Sequence, residues 1–171
     1  MAQIVIRTAK PADARAIAEI HVAAWQSAYR GLMPDDFLSA LSVDERTEMW
    51  SDVLSRPSPS QLALAEIDGM LAGFCSFGPT RDDESADIAE LYAVNVHPNR
   101  WSRGAGRALC AHAYAEAAAR GHTSIMLWVM SGNKRARRFY ERLGYTADGA
   151  RTDSKLIGHA FEELRYRKVI A

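Results

Sequence analysis

The sequence predicts one α/β (α+β) domain over residues 1–171, a mixed sheet of about seven strands flanked by four helices. Three observations carry that expectation. Seven β-prone runs and four helical stretches follow in the order strand, two helices, three strands, helix, strand, helix, two strands, without repeat. The central strand gives way to a turn that opens an alanine-rich helix on Gly104-Ala105-Gly106. The apolar fraction of 48% and charged fraction of 25% are those of an ordinary globule, and a chain of this length hides roughly 70% of its unfolded surface without staples.

Taken in order, Gln3 to Arg7 is a short β-prone run. Lys10-Pro11-Ala12-Asp13 starts a helix, since proline lacks an N–H where none is needed. Ile17, Ile20 and Ala24 follow at helical spacing, with Trp25 beside them, until Gly31 and Pro34 break the pattern. A second helix, about Asp35 to Leu54, carries Phe37, Leu38, Leu41, Met49 and Trp50 and stops at the Pro/Ser-rich residues 56–60. Leu62–Ile67 and Leu71–Phe77 are apolar runs joined by Asp68-Gly69, a strong hairpin signal. An acidic loop follows, then the strand Ile88–Val96, stopped by His97-Pro98. The alanine-rich helix runs from Gly104 to Arg120 and ends at Gly121. Ile125–Val129 reads as a buried strand. Asn133 caps a helix whose Ala136, Phe139, Tyr140 and Leu143 fall at i, i+3, i+4 and i+7. Tyr145–Thr152 and Ala160–Ile170 complete the set.

Charge narrows the function. Lysine plus arginine and aspartate plus glutamate number 21 each, so no net field draws the chain to nucleic acid or an anionic membrane. No run of about 18 apolar residues is present, and residues 1–7 lack signal-peptide character, so the expected location is the cytoplasm. Cys75 and Cys110 form neither a CxxC pair nor a cluster with histidine and read as free thiols. His112 and Glu116 sit four apart on a helix, but no second pair completes a metal site, so no metal is expected.

The most informative stretch is Val94-Asn95-Val96-His97-Pro98-Asn99-Arg100-Trp101-Ser102-Arg103-Gly104-Ala105-Gly106-Arg107. A strand ends, the chain turns, and a helix opens on Gly-x-Gly between arginines. Helix N-termini carry unpaired N–H groups and a positive dipole end, which bind phosphate. Glycine admits the phosphates closely, and Arg103 and Arg107 add charged contacts. A nucleotide P-loop needs Gly-Lys-Ser/Thr, and the chain has no Gly-Lys. A dinucleotide fingerprint needs a third small residue where Leu109 stands. A coenzyme A diphosphate fits.

The segment resembles the acetyl-CoA-binding motif of the GNAT superfamily of N-acetyltransferases, Gln/Arg-x-x-Gly-x-Gly/Ala, in the register Trp101-Ser102-Arg103-Gly104-Ala105-Gly106. Trp101 replaces the usual Gln or Arg. A second family motif is matched from Asn133 through Phe139-Tyr140-Glu141-Arg142-Leu143-Gly144-Tyr145. The resemblance implies a GNAT-like, mostly antiparallel sheet and transfer of acetyl from acetyl-CoA, as co-substrate, to a primary amine, the acceptor being a small molecule.

The same resemblance implies roles for particular residues. Val94, Asn95 and Val96 offer backbone groups to the coenzyme, and an N–H near Val96 polarises the thioester carbonyl. Ser102, Arg103, Gly104, Ala105, Gly106 and Arg107 form the diphosphate cradle, and Asn133 contacts the coenzyme while capping its helix. Tyr140 is the candidate acid for the departing thiolate, and packing on its helix is the alternative. Glu90 is the candidate base, with Asp87 or a water relay open; His21 and His97 are weaker bases. Trp25 and Tyr29 are expected to wall the amine site, or else to pack between helices. The acidic stretch Asp82 to Glu90 reads either as a preference for cationic amines or as a solvated loop. Trp128 stands where members acting on ribosomal-protein N-termini carry glutamate, which argues against that substrate. A non-catalytic acetyl-CoA sensor and a transferase acting on a protein amine remain as alternatives, and a homodimer is carried over by analogy alone.

Overall fold

The computed structural model describes residues 3–156 and 158–171. Its strands are β1 (Ile4–Thr8), β2 (Gln61–Ile67), β3 (Met70–Pro79), β4 (Ile88–Val96), β5 (Ser124–Met130), β6 (Thr146–Leu156) and β7 (His159–Val169). They form one seven-stranded sheet in the order β1-β2-β3-β4-β5-β7-β6. The pairs β1–β2, β2–β3, β5–β7 and β6–β7 are antiparallel, whereas β4–β5 is parallel. The expected mixed, mostly antiparallel sheet of seven strands is thus present.

Among the described residues five α-helices accompany it, not the expected four: α1 (Ala14–Ala28), α2 (Asp35–Ser39), α3 (Val43–Ser55), α4 (Ala105–Ala119) and α5 (Lys134–Arg142). The extra one arises because the stretch read as a single helix from Asp35 to Leu54 is two. Ser42 is extended and its hydroxyl accepts from the Glu45 N–H, which starts α3 afresh. Ser42-Val43-Asp44-Glu45 is a Ser-x-x-Glu capping signature.

The chain divides into two compact units, Met1–Phe77 with Ala93–Ala113, and Gly78–Tyr92 with Tyr114–Ala171. In the first, the β2–β3 hairpin turns through Asp68 and Gly69, both at positive φ, the left-handed pair that suits the strands' twist. Its core gathers Ile17, Ala18, Leu64, Phe74 and Trp50. In the second, buried Ile125, Met126 and Leu127 of β5 lie beside β7, and Tyr145 and Tyr166 are buried. The parallel ladder there runs Ile88–Ser124, Ala89–Ile125, Glu90–Met126. Among the described residues of this unit no β4–β5 pair follows Glu90, although β4 continues.

Candidate active site

In the first unit the end of β4 lies close against β3. Asn95 and Val96 approach Gly73 so closely that a Cβ there would lie 2.6 Å from the Asn95 carbonyl oxygen and 3.0 Å from Val96 Cγ2. The His97 N–H donates to Ala72 O at 2.8 Å. Ala93 through Val96 are half-buried, unlike a strand covered on both faces. A 3-10 turn, Pro98–Arg100, follows, and the Trp101 indole N–H reaches back to Val96 O at 2.8 Å.

Two left-handed residues then shape the loop, Ser102 at φ 61° and Gly104 at φ 93°. Ser102, Arg103, Gly104 and Arg107 are exposed, while Ala105 is buried and anchors the helix start. The Ala108 N–H donates to Gly104 O at 2.9 Å. The amides of Ala105, Gly106 and Arg107 therefore stand ahead of the helical ladder, as the first turn of any helix requires. This is an open helix N-terminus with cationic flanks, the surface that suits a diphosphate.

The same unit holds an aromatic cluster on α1. Trp25 meets Tyr29 (5.0 Å), His21 (5.4 Å) and Phe37 of α2 (6.4 Å), each edge to face. Trp25 and Tyr29 are half-buried. Deeper in, the Trp50 indole donates to His21 Nδ1 at 3.1 Å, and burial pushes the His21 pKa down to about 4. With Nδ1 accepting, the ring proton sits on Nε2. His21 is thus a neutral packing group rather than a proton acceptor near pH 7. His97 Nδ1 accepts from the Asn99 N–H within the turn. Cys75 and Cys110 are buried and form no disulfide, and burial pushes the Cys75 thiol far up.

In the second unit Glu90, only 1% exposed, stands at the last β4–β5 pair. Its Oε1 accepts from Arg81 Nε (3.1 Å) and Nη2 (2.6 Å), and Oε2 accepts from the Arg81 backbone N–H (2.8 Å). The Arg81 guanidinium also lies 4.5 Å over the Tyr92 ring, and the Tyr92 hydroxyl donates to Pro79 O. Among the described residues, a single donor, the Arg81 N–H, meets Oε2, which can accept a second. Asp87 is exposed and its carboxylate accepts from the Thr123 hydroxyl at 2.7 Å; hydrogen bonds from Ser85 and Thr123 hold it below the usual carboxylate range.

Asn133 is buried and its Oδ1 accepts from the Ala136 N–H at 3.1 Å, so the cap on α5 is formed. Tyr140 is half-buried, with its ring 5.2 Å from Phe139 and 5.9 Å from Tyr145. Two carboxylates of the acidic loop, Asp82 and Glu84, are paired from β7. Arg165 reaches Glu84 (2.5 Å), Asp148 (2.7 Å) and Asp82 (3.3 Å), Arg167 reaches Asp148 and Glu84, and the Trp128 indole donates to Asp82. Asp82 and Glu84 are thus paired carboxylates, neither bare nor merely solvated.

Three residues of this arrangement went unread in the sequence. Gly73 had a signal, since glycine inside a strand marks a bulge or a close approach. The β2–β3 register does shift between Ala65 and Glu66, leaving Ala72 as an extra residue. Arg81 and Arg165 had none, because their partners lie 9 and up to 83 residues away. Among the described residues no group of three or more His, Cys, Asp or Glu could hold a metal, and no helix is long and apolar enough to cross a membrane.

Comparison with known proteins bears on this geometry. An N-acetyltransferase of Bacillus subtilis (strain 168), YuaI, is 33% identical over 130 residues, covering 76% of this chain and 73% of that protein. The mycothiol acetyltransferase of Thermobispora bispora is 39% identical over 101 residues, 58% of this chain. The match spans about a third (32%) of that longer protein's length. The crystal structure of PaiA N-acetyltransferase from Thermoplasma acidophilum, in complex with coenzyme A, superposes with a TM-score of 0.76 at 20% identity, covering 98% of this chain and 99% of that one. That likeness shows the fold. Residues 14–145 match the model of the acetyltransferase (GNAT) family, from α1 through the glycine loop to Tyr145. The protein whose β4 ends against Gly73 and whose α4 opens through left-handed Ser102 and Gly104 therefore belongs to the GNAT acetyltransferase family.

Proposed function

We propose that this acetyltransferase moves acetyl from acetyl-CoA to the primary amine of a small molecule. The observation that carries the reading is the loop from Ser102 to Arg107. Its two left-handed residues present an exposed helix start between Arg103 and Arg107, directly after the half-buried end of β4. Acetyl-CoA supplies the thioester carbon that the amine attacks. Ser102, Arg103, Gly104, Ala105, Gly106 and Arg107 bind its diphosphate, and Val94, Asn95 and Val96 lend backbone groups to the pantetheine arm. Asn133 adds a contact from the start of α5. Relatives named mycothiol acetyltransferase support a small-molecule acceptor.

A lysine-like amine with pKa about 10.4 is deprotonated in well under one molecule in a hundred at neutral pH. In this reading its proton leaves through water towards Glu90. The second donor that Glu90 Oε2 can accept supports that route; the two bonds from Arg81 to Oε1 hold the carboxylate in place. The Val96 N–H steadies the developing oxyanion, and Tyr140 gives its phenolic proton to the leaving sulfur. Trp25 and Tyr29 supply an aromatic wall for the acceptor. The pairing of Asp82 and Glu84 with arginines removes the argument for a cationic acceptor from that loop.

The test has two parts. Calorimetry with coenzyme A and acetyl-CoA should give saturable binding; no heat with either sinks the coenzyme reading. A thiol-release assay across a panel of small amines and a lysine peptide should then show turnover favouring a small amine. Binding without turnover would point instead to a sensor.

A further inference from the structure

We propose that Trp101 is a positioning residue that locks the strand end and the glycine loop into one preformed surface. It stands where the family's pattern has Gln or Arg, yet its indole N–H is committed to the protein itself, at 2.8 Å from Val96 O. The bond spans five residues and closes a turn already ordered from within. The Arg100 N–H donates to His97 O at 2.8 Å, and the Trp101 N–H to Pro98 O at 3.2 Å.

What the clamp restrains lies on either side of it. Upstream, Val96 is one of the two residues pressed against Gly73, so strand end and β3 cannot separate without opening this contact. Downstream, Ser102 holds a left-handed conformation at φ 61°, which a residue with a Cβ adopts only against a cost. Nothing in the identity of Ser102 favours that angle as glycine would. A tie placed one residue before it fixes the direction in which the chain enters the loop.

The inference rests on the coenzyme reading and adds to it. A bound coenzyme contacting both strand and loop gains most when the two are already fixed relative to each other, because less ordering remains to be done on binding. Where the order supplied by this part-buried hydrogen bond has instead to be supplied on binding, affinity weakens by about 3- to 10-fold.

Trp101→Phe keeps a ring and removes the donor. Calorimetry should show coenzyme A binding about 3- to 10-fold weaker than in the wild type. The KM for acetyl-CoA should rise by a similar factor, more than kcat falls, with the amine KM little changed. Coenzyme affinity equal to the wild type would overturn the proposal, as would a loss confined to kcat. A purely structural role predicts a lower unfolding midpoint with both KM values unmoved, and that too would overturn it. Should the variant not fold, the wild type still decides. Followed by NMR, the Trp101 indole proton, one of four in the chain, should exchange slowly in the free protein and more slowly with coenzyme A. Exchange at the rate of a free indole in both states would refute the clamp. Wild-type protein that shows the protected indole but binds no coenzyme would leave the clamp standing and sink the coenzyme reading instead.

Discussion

Acidification should unfold this protein earlier than its carboxylates alone would require, and His21 is the reason. Its ring lies edge-on to Trp25, Trp50 and Phe74, and its Nδ1 takes the Trp50 indole proton. Protonation would delete that acceptor and leave a charge in an aromatic cluster with Arg46 near by. Burial foremost, then the Arg46 charge, lowers the pKa from 6.5 to about 4. In the unfolded chain the same imidazole titrates near its ordinary value. Between those two pH values the unfolded state binds more protons, so stability rises with pH there. The contribution is fully present above about 6.5 and is lost as pH falls towards 4. At about 1.4 kcal/mol for each pH unit, the whole effect is about 3 kcal/mol. That is a large fraction of a stability of roughly 5–15 kcal/mol.

Urea denaturation at several pH values from 7.5 to 4.5 measures it. His21→Gln removes the titrating group while offering Trp50 an amide oxygen. The wild type should lose about 2–3 kcal/mol more than this variant across the range. Parallel pH slopes in the two proteins would refute the argument. The paired aspartates do not confuse the window. Asp13, held low by the Arg7 hydrogen bonds, and Asp148, held low by backbone and arginine bonds against its burial, titrate below the usual carboxylate range.

Further outcomes can be stated together. Tyr140→Phe should lower kcat by about 10²-fold with the acetyl-CoA KM little changed if the phenol is the acid; wild-type turnover at saturation would reduce Tyr140 to packing. Glu90→Gln should lower kcat by about 10²-fold, whereas Arg81→Ala should chiefly lower stability, since Glu90 would stay buried with its backbone donor alone. Wild-type kcat in Glu90→Gln would pass the base role to water alone. Gly73→Ala should cost about 1–3 kcal/mol in urea denaturation and raise the KM for acetyl-CoA, because its Cβ meets backbone at Asn95, which cannot swing aside. Gly104→Ala meets only the movable end of Ile4 at 3.1 Å but forces a side chain onto φ 93°, so coenzyme affinity should fall more than stability does.

The fold was legible where local signals agree. Asp68-Gly69 announced its left-handed turn, and Asn133 announced the cap that forms at α5. The β4 range, Ile88–Val96, was read in full because β-branched residues run up to a proline stop. The division of the second helix was readable too, in Ser42 and Glu45, but the apolar spacing across it favoured a single helix. Illegible features depend on distant partners. A sequence shows that Glu90 precedes a strand end; it does not show that Arg81 returns to cover it with three hydrogen bonds. Nor does it show that Arg165 pairs with Asp82 and Glu84, 83 and 81 residues before it, in a stretch that reads from sequence either as a draw for cationic amines or as a solvated loop.

The departures from local rules in the first unit fall where the proposed coenzyme site lies. A glycine interrupts an otherwise buried β3, a serine sits in the left-handed region, and a strand near the middle of the sheet is left half-buried at Ala93 to Val96. Each is unfavourable for stability taken alone. All three converge on one short path, from Gly73 across Asn95 and Val96 to Ser102 and Gly104. Natural sequences carry such conflicts where function demands a shape that stability would not choose. Elsewhere in this unit the side chains obey ordinary packing, down to a histidine kept neutral among aromatic rings. The path itself is a backbone surface built chiefly of amides and carbonyls, which suits a ligand recognised by its phosphates and amides; on the proposed reading the choice of acceptor then falls to side chains such as Trp25 and Tyr29.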